Sequence, residues 1–432
     1  MLIMNYTKRI ITILTVLLLI FGLVACGETT PQQETTEATT EATTQPTEPK
    51  ELTPEEKILA ERRDLVEQYM RKNASVIWRA DCDVHYVCYG KAMLIEKGKL
   101  YSGIPYAHSG GSLTSFFDYA ETTDEYGYPV LTGLASEAFD GTDAITNRLG
   151  NDCSSAVIFA WSQIGASVED QVGTGTGIRT YNMIPKYGFI PVGDYVYEVD
   201  GDRVTNTKEV ILLNGNDKIY ECYAQLQKAD AVVKRAGSGH AMMVVSVNVV
   251  YDETGKIDPK KSEVTFLDQR QSSQQGGNTT YVDEVSGETV YRIGGVDFKS
   301  TFSRMLSNGY LPVTCKELID PSPLSEPVVT DSETEYSVDN IFTGTISCNW
   351  FIDAVTMTIT DANGQEVQKA TVSTNRNSYR NFDMQKFVTD IPETVRGGID
   401  LEALTSGNYH CTVVCRLTTE EEIPVRDFDF AV

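Results

Sequence analysis

A cysteine placed where a loop meets a helix is the feature of this chain best suited to covalent chemistry. Asn151-Asp152-Cys153-Ser154-Ser155 follows Gly150 and leads into the apolar positions Ala156, Val157, Ala160, Trp161 and Ile164, which Gly165 ends. That spacing predicts an amphipathic helix starting at Asp152-Cys153. The first turn of a helix offers unpaired N–H groups and the positive end of its dipole. It therefore favours a thiolate, and the oxyanion that forms when sulfur attacks an acyl carbon. Such a nucleophile needs a proton acceptor, and the chain has four histidines. His85 lies between Cys82 and Cys88, His108 in a Gly/Ser-rich loop and His410 near the C-terminus. His240 follows Gly237-Ser238-Gly239 and opens the apolar run 241–245, where it can face a helix start across a cleft. No Gly-x-Ser-x-Gly elbow is present, which argues against a Ser-His hydrolase. Cys82-x2-His85-x2-Cys88 offers three candidate ligands without a fourth, so no metal or other cofactor is expected.

The elements that must position these residues follow from periodicity. Thr53-Pro54-Glu55-Glu56 predicts a helix start, and the apolar rhythm of Ile58, Leu59, Leu65, Val66, Tyr69 and Met70 carries it to about Asn73. Strands are expected at 231–234, 242–251 and 263–267, the last two paired across the turn Asp252-Glu253-Thr254-Gly255. Helices followed by an antiparallel run of strands make an α+β layout. On a strand, Asp268 and Gln269 point to opposite faces, so only one of them can meet His240.

Four segments together resemble the NlpC-like cysteine peptidases, papain-like hydrolases of peptidoglycan stem peptides. In order they are Tyr101-Ser102-Gly103-Ile104-Pro105-Tyr106, Asp152-Cys153-Ser154-Ser155, Lys228-Ala229-Asp230-Ala231-Val232-Val233 and Gly239-His240 with the apolar run after it. The resemblance spans about residues 53–320. It implies a papain-like fold, Cys153 as nucleophile, His240 as general base and a third group from Asp268-Gln269 that orients the imidazole. Amide side chains do this in papain-like sites, which favours Gln269. Tyr106, Asp152, Ser154 and Asp268 would border the site. The chain departs from the family pattern at Ser155 and Ala229, where glycine is usual, and in a long segment, about 113–146, before the nucleophile. The implied partner is a peptidoglycan peptide or another cell-surface amide. A surface binding or adhesion protein with an inactive papain-like domain is the alternative.

Charge and the N-terminus bear on where this chemistry would happen. With 61 Asp plus Glu against 36 Lys plus Arg, the net charge is −25, which excludes nucleic acid as a partner. Lys8 and Arg9 precede an apolar run, residues 10–25, too short for a membrane span and suited to a signal peptide, 1–25. The run ends Leu23-Val24-Ala25-Cys26-Gly27, which resembles a bacterial lipobox and implies acylation of Cys26 and anchoring of an extracytoplasmic protein to the membrane. Residues 26–52 are rich in Thr, Glu, Gln and Pro and predict a disordered tether spanning on the order of 25–30 Å.

Asp320-Pro321-Ser322-Pro323 through Pro327 marks a domain boundary. Beyond it, alternating segments at 336–346, 354–360, 368–373 and 409–417, with a turn at Asp361-Ala362-Asn363-Gly364, predict an all-β sandwich over 328–432. Tyr409-His410-Cys411 resembles the Tyr-x-Cys corner of immunoglobulin domains, which would pair Cys411, or Cys415, with Cys348 in an inter-sheet disulfide. Trp350 follows Cys348 too closely for that family's usual pattern.

Overall fold

The computed structural model describes residues 51–432 except 89–90, 108–110, 133–149, 169–178, 181, 271–279, 296, 375–378 and 390–394. The signal-like segment, Cys26 and the tether up to residue 50 lie outside the described residues. The chain is α+β, with several sheets.

Thr53 caps helix α1 (Pro54–Ser75) in a reciprocal capping box with Glu56, as the Thr-Pro-Glu-Glu start requires. Val66 and Met70 enter the main core. Buried Arg62 and Arg63 reach back along the chain, Arg62 to the carbonyls of Glu317 and Asp320, Arg63 to the Asp230 carboxylate at 2.9 Å. Burial raises Asp230 above the usual carboxylate range, while Arg63 and hydrogen bonds from Gln227 and Thr314 pull it back.

The main sheet is antiparallel. Its strands are β1 (Phe189–Pro191), β2 (Ala231–Ala236), β3 (Ser238–Asn248), β4 (Glu263–Leu267), β5 (Phe298–Thr301) and β6 (Tyr310–Cys315), in the order β5-β4-β3-β2-β6-β1. β3 and β4 are neighbours as the turn between them predicts, but β3 begins at Ser238, so His240 lies inside the strand. A second, mixed sheet holds strands Ile77–Ala80, Leu100–Ser102, Ala120–Thr123, Pro129–Leu131, Thr280–Val282 and Thr289–Arg292. Short helix α2 (Leu113–Phe117) opens the long segment before the nucleophile.

Beyond residue 328 a three-stranded and a five-stranded sheet share one core. Ile346 and Phe382 come from the first, and Val355, Met357, Val372 and Val413 from the second. Strand Asn408–Leu417 buries every second residue, the period-two signature of a strand with one face inward. Residues 336–344 are a correction: no strand forms there, and the chain takes a 3-10 turn at Val338–Asn340 before strand Thr345–Cys348. A further strand, Glu422–Ala431, was not foreseen. The expected disulfide is also absent: Cys348, Cys411 and Cys415 are free. Cys415, not Cys411, is the thiol that interacts electrostatically with Cys348. Four residues of strand, roughly 13 Å, separate Cys411 from Cys415, too far for both to serve one partner.

These sheets are fastened to helix α3 (Cys153–Ser162). The ring of Phe159 packs edge-on to Tyr379 at 5.2 Å, Ser162 Oγ meets Thr418 Oγ1 at 2.8 Å, and Gln163 donates to the Thr418 carbonyl at 2.9 Å. Arg416 bridges Asp118, just after α2, to buried Asp353. Gly165 ends the α3 segment at φ 61°, and a Cβ there would lie 2.5 Å from the Trp350 ring. Gly165→Ala should therefore destabilise the protein by about 1–3 kcal/mol, from a strained backbone and a displaced indole. A lower urea midpoint with unchanged slope is the expected measurement, and an unchanged midpoint would contradict this packing.

Candidate active site

Cys153 is the first residue of α3 and is 5% exposed. Asp152 is the N-cap. Its Oδ1 accepts from the Ser155 N–H, the Ser154 hydroxyl and the Ser155 hydroxyl, each at 2.8 Å. The serine that stands in place of the family's glycine thus joins the cap. The loop before it is held from behind: Gly150 (φ 133°) leaves no room for a Cβ, which would lie 2.1 Å from the Pro105 carbonyl oxygen. Asn151 donates through its amide to Asn73 Oδ1 and bridges Tyr106 backbone to backbone. Tyr106 is brought to the thiol, its hydroxyl donating toward Cys153 Sγ at 3.8 Å.

All ten residues of α3 are buried, a correction to the amphipathic stripe. One side packs on β3 in the main core, and the Phe159 ring meets Tyr379, on which Phe351 stacks, both from loops beyond residue 328. A helix covered on both sides is hydrophobic all round.

His240 is half-buried on β3 and its Nε2 meets Asp268 Oδ1 at 2.8 Å. This corrects the assignment of Gln269 as the orienting group. Met243 stands opposite Leu267, so continuing the register sets residue 268 opposite Met242, on the His240 face, and turns 269 away. Gln269 is buried on the other side, and its amide donates to the carbonyls of Ile104, Pro105 and Asn151 at 3.0, 3.3 and 3.4 Å. It ties the Tyr106 segment to the Cys153 loop and does not touch the imidazole.

Two further side chains complete the site, and no motif pointed to either. Tyr310 on β6 presents its ring edge to His240, with centroids 6.4 Å apart, and its phenol interacts electrostatically with Cys153. Burial raises this hydroxyl above the usual phenol range, and Arg270 pulls it back. Cross-strand pairing makes this possible: His240 stands opposite Lys234, and Lys234 opposite Tyr310, so the three share one face of the sheet. Arg270 pairs with Asp268 and lies over the Phe298 ring at 4.1 Å.

The remaining departure is Ala229, which adopts φ 70°, a conformation that costs an L-residue about 1–2 kcal/mol. It is held by its N–H to the Val244 carbonyl and by Trp161 Nε1 donating to its own carbonyl at 2.8 Å.

Five other thiols are buried. Burial raises Cys222, Cys315 and Cys348, and pushes Cys411 and Cys415 up to about 12, so these five stay protonated and unreactive at neutral pH. Among the described residues, no group of three His, Cys, Asp or Glu side chains gathers to hold a metal ion. His410, with Asp427 and Asp429, lies on a C-terminal strand outside this site.

No family model matches the chain, and no curated protein matches it.

Proposed function

We propose that the protein is a cysteine hydrolase of amide bonds, with Cys153 as nucleophile and His240 as general base. One observation carries this reading: a cysteine at a capped helix start and a histidine oriented by a buried aspartate both converge on Tyr310. With Nε2 engaged by Asp268, Nδ1 is the imidazole nitrogen available to take the thiol proton. The sulfur then attacks the amide carbon, and the Cys153 N–H at the start of α3 and the Tyr106 hydroxyl are suited to hold the oxyanion. His240 returns the proton to the leaving amine, and water hydrolyses the thioester.

The substrate we propose is a peptidoglycan stem peptide, from the resemblance of 53–320 to NlpC-like, papain-fold enzymes. Mass spectrometry of purified cell wall digested with the protein tests this, since cleavage leaves new amine and carboxyl ends in the stem peptides. Unaltered wall peptides under conditions where the protein cleaves another amide would exclude that substrate.

For residues 328–432 we propose an immunoglobulin-like sandwich. The Tyr409 hydroxyl donates to the Thr405 carbonyl at 2.7 Å, the hydrogen bond of a tyrosine corner.

We further propose an extracytoplasmic protein anchored through acylated Cys26. Cys26→Ser is expected to move the protein from the membrane fraction to the soluble fraction, read by fractionation and immunoblot. A processed Cys26→Ser chain that stays with the membrane would mean that something else holds it.

A further inference from the structure

We infer that Arg270 is a positioning residue of this site, keeping the Asp268 carboxylate ionised and aimed at His240. The inference rests on the cysteine-hydrolase reading and extends its machinery by one residue. Asp268 is 1% exposed, and its two oxygens have different partners: Oδ1 meets His240 Nε2 at 2.8 Å, and Oδ2 pairs with the Arg270 guanidinium. A carboxylate this buried loses most of its hydration, so without a counter-charge it takes up a proton and ceases to be a pure acceptor. The fixed charge of Arg270 beside Oδ2 prevents that. Arg270 is itself fixed, stacked on Phe298 at the edge of the main sheet. The alternation that sends Gln269 away returns residue 270 to the face of His240 and Asp268. Asp268, Gln269 and Arg270 thus divide three tasks along consecutive residues: orienting the imidazole, tying down the nucleophile loop, and balancing the aspartate.

Among the described residues, the charged and titratable groups around His240 are Asp268 and Arg270 beyond β4, Lys234 on β2 and Tyr310 on β6, with Arg304 on the helix after β5 near Arg270, Cys153 near Tyr310, and Tyr106 at Cys153. Of these, Arg270 is the cation paired with the His240 partner. Removing it lets Asp268 take up a proton, so the imidazolium loses its nearest counter-charge and the imidazole midpoint moves down.

The test is a histidine proton-NMR titration of the full chain, with the His240 resonance assigned by its loss in His240→Gln. Arg270→Gln should lower the His240 midpoint by about one pH unit. Arg270→Lys, which keeps the charge, should stay within about 0.3 unit of the parent. Arg270→Met keeps the packing on Phe298 and stands in if the Gln variant does not fold. Folded Gln and Met variants with a His240 midpoint within about 0.2 unit of the parent would overturn the inference, whatever their melting temperatures. The readout needs no substrate. A parent that hydrolyses nothing would count against the hydrolase reading alone, and active Arg270 variants without the shift would count against Arg270 alone.

Discussion

Cys153→Ala is expected to lower amide hydrolysis by on the order of 10⁴-fold or more, because removing the nucleophile of a Cys-His pair removes the covalent route. The substitution should leave the fold intact. Alanine is the best helix former, Asp152 keeps its cap contacts, and the lost sulfur touches the Tyr106 hydroxyl at the long distance of 3.8 Å. Turnover of the parent and the variant on wall peptides, with thermal melting of both, is the measurement. Parent-like turnover in a folded variant would show that the thiol is not the nucleophile. The same pair of proteins separates the hydrolase from a binding protein with an idle site, since binding alone does not depend on the sulfur.

Cutting the chain between residues 327 and 328 should have an asymmetric outcome. Residues 328–432 are expected to fold alone, because Ile346, Val355, Met357, Phe382 and Val413 make a core of their own. Residues 52–327 are expected to lose cooperative folding. Phe351 and Tyr379 from beyond the cut belong to the main core, and burying each is worth about 1.5–3 kcal/mol. The cut also leaves Asp118 without Arg416, Ser112 without Asp353 and Ser162 without Thr418. Against a total stability of about 5–15 kcal/mol, these losses are enough to unfold the remainder. Near-ultraviolet circular dichroism and thermal melting of each fragment decide the matter. A cooperatively folded, active 52–327 would mean that the C-terminal sheets are an accessory and not a support that α3 needs.

Sequence alone determined the local features, because their causes are local. The Thr53 cap before Pro54, the helix start at Asp152-Cys153, the stop at Gly165 and the β3–β4 pairing each depend on a few adjacent residues whose chemistry admits little else. The candidate nucleophile and base were legible for the same reason: a thiol on a helix start and a histidine after Gly-Ser-Gly announce themselves by context. Tertiary structure decided which group meets the imidazole. Asp268 and Gln269 are equivalent under alternation, and only the pairing of Met243 with Leu267 sends one toward His240 and the other toward Ile104. It also decided that Tyr310 joins the site through Lys234, and that Arg270 answers Asp268. The α3 stripe, sound as periodicity, missed that Phe159 has a second wall to face, supplied more than 200 residues later by Tyr379. Strand pairing and packing join residues distant in the chain, and no local pattern encodes the register that brings them together.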